Sequence, residues 1–228
     1  MDLRTAAADL FVGADCPGCG APALDWCRRC ALVARPVPHR VSVGHPGIDL
    51  PVTAAAENVG VVADLVVAWK DGDRHRLTRH LGLLLAAACL LHESDEQDLL
   101  LVPVPSTAAT VRRRGADLAA DLARSAAAEL VATGLPARAV PALCRARATR
   151  DQVGLGARAR RRNVAGAFAL RRSGTIRTAL LSGRVLVVDD VVTTGSSVAE
   201  TVRVLRSQGV CVVGAAVVAR TPGRVDLD

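Results

Sequence analysis

Two adjacent carboxylates and the glycine- and hydroxyl-rich turn that follows them are the residues of this chain best suited to chemistry. Asp189 and Asp190 follow four aliphatic residues and precede two valines. Carboxylates accept hydrogen bonds from hydroxyl groups, and a turn that opens a helix offers backbone N–H groups to an anion. The sequence therefore predicts a polyol on the carboxylates and a phosphate in the turn, which consists of Thr193, Thr194, Gly195, Ser196 and Ser197.

A strand before the carboxylates and a helix after the turn are the elements that must position this site. Residues 185–188 are all aliphatic and do not alternate with polar residues, which is typical of a strand buried on both faces of a parallel sheet. Val198, Val202 and Leu205 recur at helical spacing and predict a helix. Ligands of open α/β sheets bind at the carboxyl ends of strands, where this interpretation places both aspartates.

Residues 185–197 together resemble the signature by which type I phosphoribosyltransferases bind 5-phosphoribosyl-1-pyrophosphate (PRPP). The resemblance implies an α/β fold of the type I phosphoribosyltransferase class, with a parallel sheet flanked by helices. It implies that Asp189 and Asp190 are the catalytic pair and hold the ribose hydroxyls, with Mg²⁺ bridging the diphosphate and the ribose. It also implies that residues 193–197 wrap the 5′-phosphate and that the 5-phosphoribosyl group is transferred to an acceptor that the sequence does not identify.

Cysteines near the N-terminus form two CxxC motifs separated by seven residues: Cys16, Cys19, Cys27 and Cys30. Each motif turns two thiolates toward one point, and two such hairpins make a tetrahedral site for structural zinc. A disulfide pair and a redox-active CxxC motif are the alternatives. We expect the remaining cysteines to be buried small apolar residues: Cys89, Cys144 and Cys211.

Over roughly residues 8–221 the chain is similar to the ComF family, in which a small zinc-binding N-terminus precedes a phosphoribosyltransferase-like domain. Lys70 and Gly72 match a lysine-glycine turn of that family, although a solvated turn residue is the simpler interpretation of Lys70. The family usually has Arg-Gly-Phe-Asn-Gln where residues 114–118 are Arg-Gly-Ala-Asp-Leu, a departure that bears on acceptor binding or on catalysis. The family's Val-Pro-Val-Pro, which the resemblance assigns to a pyrophosphate loop, is reproduced by Val102, Pro103, Val104 and Pro105.

An arginine-rich segment, residues 145–163, resembles the part of the ComF pattern that corresponds to a mobile loop over PRPP. Such a loop excludes water from a transition state that resembles an oxocarbenium ion. The alternative is a basic surface for nucleic acid, with single-stranded DNA as the partner. In that case the chain is a non-catalytic PRPP-site protein acting in competence and DNA uptake. The residues that the resemblance assigns to the loop are Arg147, Gln152, Arg158 and Asn163.

Composition limits the partners and the location of the protein. The chain has 228 residues, and its 29 basic against 22 acidic residues give a net charge of +7, which favours anionic ligands. Two tryptophans, two phenylalanines and no tyrosine leave few side chains that stack on nucleic-acid bases. No apolar run approaches the ~20 residues that span a bilayer, and no signal-peptide pattern is present at the start. We therefore expect a cytoplasmic protein without a membrane partner, in an oligomeric state that the sequence does not indicate.

The chain is predicted to divide into three segments. They are a zinc-binding module over residues 1–35, a linker and helical hood over residues 36–95, and a phosphoribosyltransferase-like domain over residues 96–228. Helical spacing in the hood predicts one helix that Asn58 caps and a second, buried helix over residues 81–91. The strands predicted for the sheet are residues 99–104, 140–143, 185–188 and 210–218.

Overall fold

A six-stranded sheet is the centre of the computed structural model, which describes residues 15–23, 25–72, 74–92, 98–145, 164 and 166–222. Its strands are β1 (His39–Arg40), β2 (Val52–Glu57), β3 (Leu99–Pro103), β4 (Ala137–Ala139), β7 (Arg184–Val192) and β8 (Val212–Arg220). They lie in the order β1-β2-β8-β7-β3-β4, and every neighbouring pair is parallel except β1 with β2. Strands β5 (Leu143–Arg145) and β6 (Phe168–Leu170) form a separate antiparallel pair.

Helices cover both faces of this sheet. Those of the described residues are α1 (Arg28–Val33), α2 (Gly60–Asp71), α3 (Thr78–Cys89), α4 (Ala108–Arg114), α5 (Leu118–Ala132), α6 (Gly174–Ser182) and α7 (Ser196–Arg206). Short 3₁₀ turns precede and follow α3, at His75–Leu77 and Leu90–His92. Within the ranges that the structure describes, no helix is both long and apolar enough to cross a membrane.

Two central strands, β3 and β7, are apolar on both faces and therefore require helices on each side of the sheet. Leu99 and Leu101 of β3 pack in the core beneath α3 and α5, whereas Leu100 and Val102 pack in the core beneath α7. The strand predicted over residues 185–188 is confirmed, and β7 continues to Val192. The α/β class with a parallel sheet flanked by helices is confirmed as well.

The strand predicted over residues 140–143 is wrong in position. In the structure β4 ends at Ala139 and β5 begins at Leu143, and the two strands belong to different sheets. Pro141 lies between them and has no N–H to contribute to a strand ladder, so the chain leaves the main sheet here. The strand predicted over residues 210–218 is β8, which begins and ends two residues later.

Strand β2 is the longest strand of the described residues that the sequence analysis did not predict. It lies in the segment interpreted as linker and helical hood, and it pairs in parallel with β8, Val52 opposite Ala215 and Glu57 opposite Arg220. Its middle residues are alanines, which are depleted in strands and do not show the β-branched pattern. Ala55 is fully buried in the core that includes α3, and Ala54 is fully buried on the opposite face of the sheet beside Val192 and Val217.

A buried polar contact holds β2 in register with its neighbours. Thr53 Oγ1 lies 3.0 Å from the Ala88 carbonyl oxygen and 2.9 Å from His92 Nε2. Burial lowers the pKa of His92 to about 4, so its ring is neutral at pH 7. Gly214 leaves the space for this ring, because a Cβ at that position would overlap the imidazole.

Helix α2 lies at the carboxyl edge of the sheet, within the segment for which a helical hood is predicted. It begins directly after β2 and ends beside β7, where the Lys70 ammonium lies 2.7 Å from the Asp190 carboxylate. Since only β8 separates β2 from β7, the helix spans the ends of three strands. The prediction that Asn58 caps α2 is wrong: the N-cap is Val59, and Asn58 Nδ2 donates to Thr221 Oγ1 instead.

Candidate functional site

Asp189 and Asp190 lie near the carboxyl end of β7, and both are half-buried. The Asp190 N–H donates to Asp189 Oδ1 at 2.9 Å, and the Lys70 ammonium donates to Asp190 Oδ1 at 2.7 Å. The side chain of Asp190 is 16% exposed and that of Lys70 is 32% exposed, so water screens this pair less than a surface ion pair. Lys70 therefore holds the Asp190 carboxylate in one orientation.

The two carboxylates differ in their electrostatic surroundings. Burial, followed by the Asp190 charge, raises the pKa of Asp189 to about 8, although Lys70 acts to lower it. Asp189 is therefore largely protonated at pH 7 when nothing is bound. A cation or a hydroxyl donor beside Asp189 favours its ionised form and lowers this pKa.

The turn after β7 leads into α7 with the geometry of an anion site. Gly195 is the N-cap of α7 and has φ +73°, in the left-handed region that favours glycine. A Cβ on Gly195 would also overlap Val43 and Ile48, so the turn accepts no larger residue here. No side chain caps the first turn of α7, and its N–H groups therefore remain available to an anion. Thr194 Oγ1 and Ser196 Oγ lie 3.0 Å apart beside these N–H groups.

The predicted pyrophosphate loop lies next to β7. The Val104 N–H donates to the Val188 carbonyl at 2.9 Å, which places Val102, Pro103, Val104 and Pro105 beside the strand of the two aspartates. Val102 and Val104 are buried in the core, so their side chains face away from any ligand. A ligand beside this loop can therefore contact its backbone groups and the half-buried residues Pro105 and Ser106.

Residues 114–118, where the chain departs from the ComF pattern, are occupied with structural contacts. Asp117 is the N-cap of α5, where its Oδ1 accepts from the Ala120 N–H at 3.4 Å and from Ser106 Oγ at 3.0 Å. Leu118 is buried in the core, and Arg114 Nη2 donates to Asp71 Oδ1 at 3.0 Å. Asn and Asp are equally good N-caps, so the aspartate at position 117 preserves a capping role.

The cysteines of the two CxxC motifs converge in the structure. The sulfur atoms of Cys16, Cys19, Cys27 and Cys30 all lie within 4.8 Å of one another, and those of Cys19 and Cys27 are 3.5 Å apart. A tetrahedral zinc site has ~2.3 Å Zn–S bonds and therefore about 3.8 Å between sulfurs. The four cysteines are thus close enough to bind one zinc ion.

Thiols of this cluster have opposite pKa shifts, which also fits a metal site. Burial raises the pKa of Cys30, and the neighbouring thiols raise it as well. Burial acts to raise the pKa of Cys16 too, but the N–H groups of Cys27, Gly18 and Cys19 bring it down to about 6. Several thiols this close cannot all ionise without a cation, and zinc is the cation that thiolate ligands favour.

The three remaining cysteines do not share one environment. Cys89 is buried, as predicted, whereas Cys144 is half-buried. The prediction is wrong for Cys211, which is exposed and directly precedes β8. Among the described residues, none of the three belongs to the group of side chains that could hold a metal ion.

The predicted mobile-loop residues lie outside the described residues: Arg147, Gln152, Arg158 and Asn163. Their assignment to a loop over PRPP therefore stays a prediction. The same is true of the alternative, a surface for single-stranded DNA, because that alternative depends on the same arginines.

Two features of this edge of the sheet were not apparent from the sequence. One is the ion pair between Lys70 and Asp190, for which the lysine-glycine turn was the sole signal. The other is a group of polar side chains at the ends of β2 and β8, Glu57 and Asn58 beside Arg220 and Thr221. The signal for this group is the pair of polar residues that directly follows the alanines of β2, but it becomes visible only once β2 is known to be a strand.

Comparison with known families agrees with the geometry of this edge. Residues 104–228 match the family model for the phosphoribosyl transferase domain. The matched region begins directly after β3 and includes both aspartates, the turn after them and α7. A comparison with curated proteins finds no match to the chain.

Proposed function

Because the chain belongs to the phosphoribosyl transferase domain family, we propose that it binds PRPP at the carboxyl end of β7 and transfers the 5-phosphoribosyl group. The observation that carries this proposal is an oriented carboxylate beside an uncapped helix N-terminus. Asp190 is held by Lys70, and α7 begins at Ser196 with no side chain on its first N–H groups. The carboxylate supports a site for ribose hydroxyls, and the helix N-terminus supports a site for a phosphate.

Each part of PRPP has a counterpart at this edge in the proposal. The backbone N–H groups of residues 193–197 hold the 5′-phosphate, and the hydroxyls of Thr194 and Ser196 add to them. Asp189 and Asp190 accept hydrogen bonds from the ribose 2′- and 3′-hydroxyls. The diphosphate lies toward the backbone of residues 102–105, which the Val104 N–H joins to β7.

The proposed reaction is a substitution at C1 of the ribose. The C1–O bond to the diphosphate breaks, its electron pair leaves with the diphosphate, and an acceptor nitrogen forms the new bond to C1. The proton of that nitrogen passes to the departing diphosphate. Positive charge builds on the ribose as the bond breaks, and the carboxylates beside the ribose hydroxyls stabilise this charge. Lys70 orients Asp190 for that purpose.

The two carboxylates also fit Mg²⁺. Mg²⁺ prefers oxygen ligands and is usually held by one or two carboxylates together with substrate phosphates. When bound, the ion neutralises the charge of the leaving diphosphate. Asp189 and Asp190 would hold it directly or through water, and a cation here offsets the burial that raises the pKa of Asp189 to about 8.

We also propose the closer relationship to the ComF family that the resemblance implies. It is supported by the presence, in one chain, of a four-cysteine cluster that suits zinc and a phosphoribosyl transferase domain. A site with four protein ligands leaves no open position on the metal, so zinc here has a structural role. Action in competence and DNA uptake, with single-stranded DNA as partner, stays the alternative to catalysis.

The test of this proposal is the melting temperature of the protein with PRPP and Mg²⁺. A ligand that binds only the folded state at about 100 times its Kd adds about 2.7 kcal/mol, which for a chain of this size raises Tm by roughly 5–11 °C. Asp190→Asn should remove most of this increase, because it loses the charge that Lys70 and the ribose hydroxyls require. Differential scanning calorimetry measures both.

Asp121→Asn is the matched control, because Asp121 is a residue of α5 whose side chain is 40% exposed and pairs with Arg124. It should keep the full increase in Tm. An unmodified protein whose melting curve does not change at millimolar PRPP contradicts the proposed site. An assay of pyrophosphate release with a series of nitrogen acceptors then tells whether the protein transfers the 5-phosphoribosyl group or only binds PRPP. If no acceptor leads to pyrophosphate release, the result favours the non-catalytic alternative.

A further inference from the structure

A cavity of about 380 Å³, which we call the α7 cavity, lies between helix α7 and the loop that joins β1 to β2. Its volume is in the range of sites that hold small organic molecules. The residues of α7 that line it follow one another at helical spacing and therefore share one face of the helix. Those that carry the argument below are His45 and Gly47 of the loop, together with Ala199, Val202, Arg203 and Arg206 of α7.

The loop side of the α7 cavity is a tight turn that fixes the His45 ring. The His45 N–H donates to the Val43 carbonyl at 2.7 Å, and the Ile48 N–H donates to the His45 carbonyl at 3.0 Å. The Gly47 N–H donates to His45 Nδ1 at 3.1 Å, so the neutral ring carries its proton on Nε2. His45 Nε2 has no hydrogen-bond partner among the described residues, and it remains available as a donor.

Two guanidinium groups line the helix side, and a carboxylate orients each of them. Arg203 Nε and Nη2 donate to the two oxygens of Glu200, both at 2.7 Å, and Arg206 Nη1 donates to Asp49 Oδ1. Glu200 is only 5% exposed, and its Oε1 also accepts from the Gly166 N–H at 2.8 Å. A guanidinium that is already fixed loses less freedom when it binds a ligand. Within the described part of the chain, Nη1 of Arg203 and Nη2 of Arg206 carry no hydrogen bond.

The chemistry of the α7 cavity is that of donors above an apolar surface. Its imidazole and both guanidinium groups present N–H donors, whereas the oxygens of Glu200 are already occupied. Ala199 and Val202, which are at most 5% exposed, add methyl groups to the same face of α7. A Cβ on Gly47 would lie 3.5 Å from Ala199 Cβ, so the loop approaches the helix closely and a flat body fits between them. The matching occupant has acceptor oxygens with a negative charge at one end and a planar apolar body at the other.

The α7 cavity extends away from the proposed PRPP site. Among the described residues of the phosphate-type turn, Ser196 alone lines it, and neither Asp189 nor Asp190 does. Arg206 lies ten positions after Ser196, which corresponds to about 15 Å along the helix. A ligand held by the guanidinium groups therefore lies beside α7 and leaves the carboxylates of β7 uncovered.

We propose that the α7 cavity is a second ligand site, which binds a small organic anion consisting of a carboxylate or a phosphate monoester on an aromatic ring. Arg203 and Arg206 bind the anionic group, His45 Nε2 donates to one of its oxygens, and the ring lies against Ala199 and Val202. The proposal goes beyond the proposed function, since it requires neither PRPP binding nor transfer of the 5-phosphoribosyl group.

Calorimetric titrations with three naphthalene derivatives test the requirement for charge. 2-Naphthoate and 2-naphthamide have the same ring and nearly the same shape, but the amide is neutral. We expect 2-naphthoate to bind at least about tenfold more tightly than 2-naphthamide, because hydrogen bonds between a guanidinium and an anion are stronger than those to a neutral acceptor. 2-Naphthyl phosphate is the third probe, and its affinity relative to 2-naphthoate tells which of the two anions the site prefers.

Two variants locate the binding, since each removes one donor from the α7 cavity. Arg206→Met should weaken 2-naphthoate binding at least about tenfold, and His45→Phe, which keeps a ring, should weaken it about threefold or more. Arg124→Met is the matched control, because Arg124 is also an exposed arginine paired with an aspartate, but it lies on α5. It should bind 2-naphthoate as tightly as the unmodified protein. If one variant does not fold, the other variant and the neutral analogue still test the proposal.

The same titrations with saturating PRPP and Mg²⁺ separate this site from the proposed PRPP site. The affinity for 2-naphthoate should persist, whereas displacement by PRPP would place the anion in the phosphate-type turn and overturn the proposal. Equal affinities for 2-naphthoate and 2-naphthamide, no binding of either anion at millimolar concentration, or unchanged binding in Arg206→Met would overturn it as well. A protein whose Tm does not respond to PRPP contradicts the proposed function only, because the anion and the amide can still be compared without PRPP.

Discussion

Lys70 is the residue whose interpretation the tertiary structure changes most. It is the only lysine in the chain, and the sequence predicts it in a turn with a solvated side chain, whereas the structure places it in the last turn of α2. In the structure it pairs with Asp190, which is 120 positions away in the sequence. Lys70 also acts to lower the pKa of Asp189, so one amino group influences both carboxylates.

Replacing this amino group should shift the pH dependence of PRPP binding. In Lys70→Met the pKa of Asp189, which burial and Asp190 raise to about 8, loses the opposing effect of Lys70 and rises. Binding that needs ionised carboxylates then begins at a higher pH. We expect the pH midpoint of the PRPP-induced increase in Tm to move upward by at least about one pH unit, as measured by calorimetry across a pH series.

Arg79→Met controls for the loss of a positive charge from the same part of the molecule. The Arg79 side chain is 78% exposed and pairs with Glu129, away from the aspartates. In Arg79→Met the pH midpoint of the PRPP-induced increase in Tm should equal that of the unmodified protein. A Lys70→Met midpoint that does not move, or that moves downward, would show that Lys70 does not set the charge of the site.

At the scale of secondary-structure elements, α5 explains the departure of residues 114–118 from the ComF pattern. Asp117 caps α5 and accepts a hydrogen bond from Ser106, and Leu118 is the first of several buried residues on the same helix. The carboxylate at position 117 is thus engaged in joining the loop after β3 to α5. The departure concerns how a helix begins, and it leaves the aspartates of β7 unchanged.

Asp117→Ala should lower stability by about 1 kcal/mol, because Ala cannot accept from the first N–H groups of α5. Asp117→Asn should stay within a few tenths of a kcal/mol of the unmodified protein, since Asn caps helices equally well. Urea unfolding measures both changes. Asp121→Ala, in the first turn of α5 but not its cap, is the control and should cost clearly less than Asp117→Ala.

A result in which Asp117→Asn abolishes the PRPP-induced increase in Tm while it keeps the free energy of unfolding would contradict the capping role. Position 117 would then contribute to ligand binding directly.

At the scale of the whole molecule, the four-cysteine module is packed onto the rest of the protein. A Cβ on Gly18 would lie 2.9 Å from Val61 Cγ1 of α2, so the first CxxC turn approaches that helix closely. The Trp26 and His80 rings are 5.0 Å apart in an edge-to-face arrangement, and Ala34 is part of the core shared with α3 and α5. The module therefore contributes to the stability of α2 and α3, which it contacts.

Loss of the metal should consequently destabilise the whole chain. We expect about one zinc per chain by elemental analysis, and Cys27→Ser should lose it. The variant should melt at least about 4 °C lower, because metal binding to the folded state contributes directly to folding free energy. A strong chelator added to the unmodified protein should produce a decrease of similar size.

Cys211→Ser is the matched control, since Cys211 is exposed and lies outside the four-cysteine cluster. It should keep both the zinc and the melting temperature. Purified protein without metal but with a disulfide between two of the four cysteines would contradict the zinc assignment.

The sequence by itself was sufficient for the features that depend on neighbouring residues. An uninterrupted aliphatic run predicts the buried strand β7, and helical spacing predicts α2, α3 and α7, because burial imposes a period on nearby side chains. The spacing of the CxxC motifs predicts the convergence of four sulfurs. The same local logic failed at β2, where alanines replace β-branched residues, and at Pro141, where one missing N–H divides the predicted strand.

Only the tertiary structure decided which distant residues meet at the carboxyl edge of the sheet. Strand order places β2, β8 and β7 side by side, and this order joins Glu57 to Arg220 and brings Lys70 across to Asp190. No local pattern encodes such contacts, because parallel neighbours are far apart in sequence and their order follows from how the helices cover the sheet. The chain's residues therefore reveal which groups can react or bind, whereas packing determines which of them face one ligand.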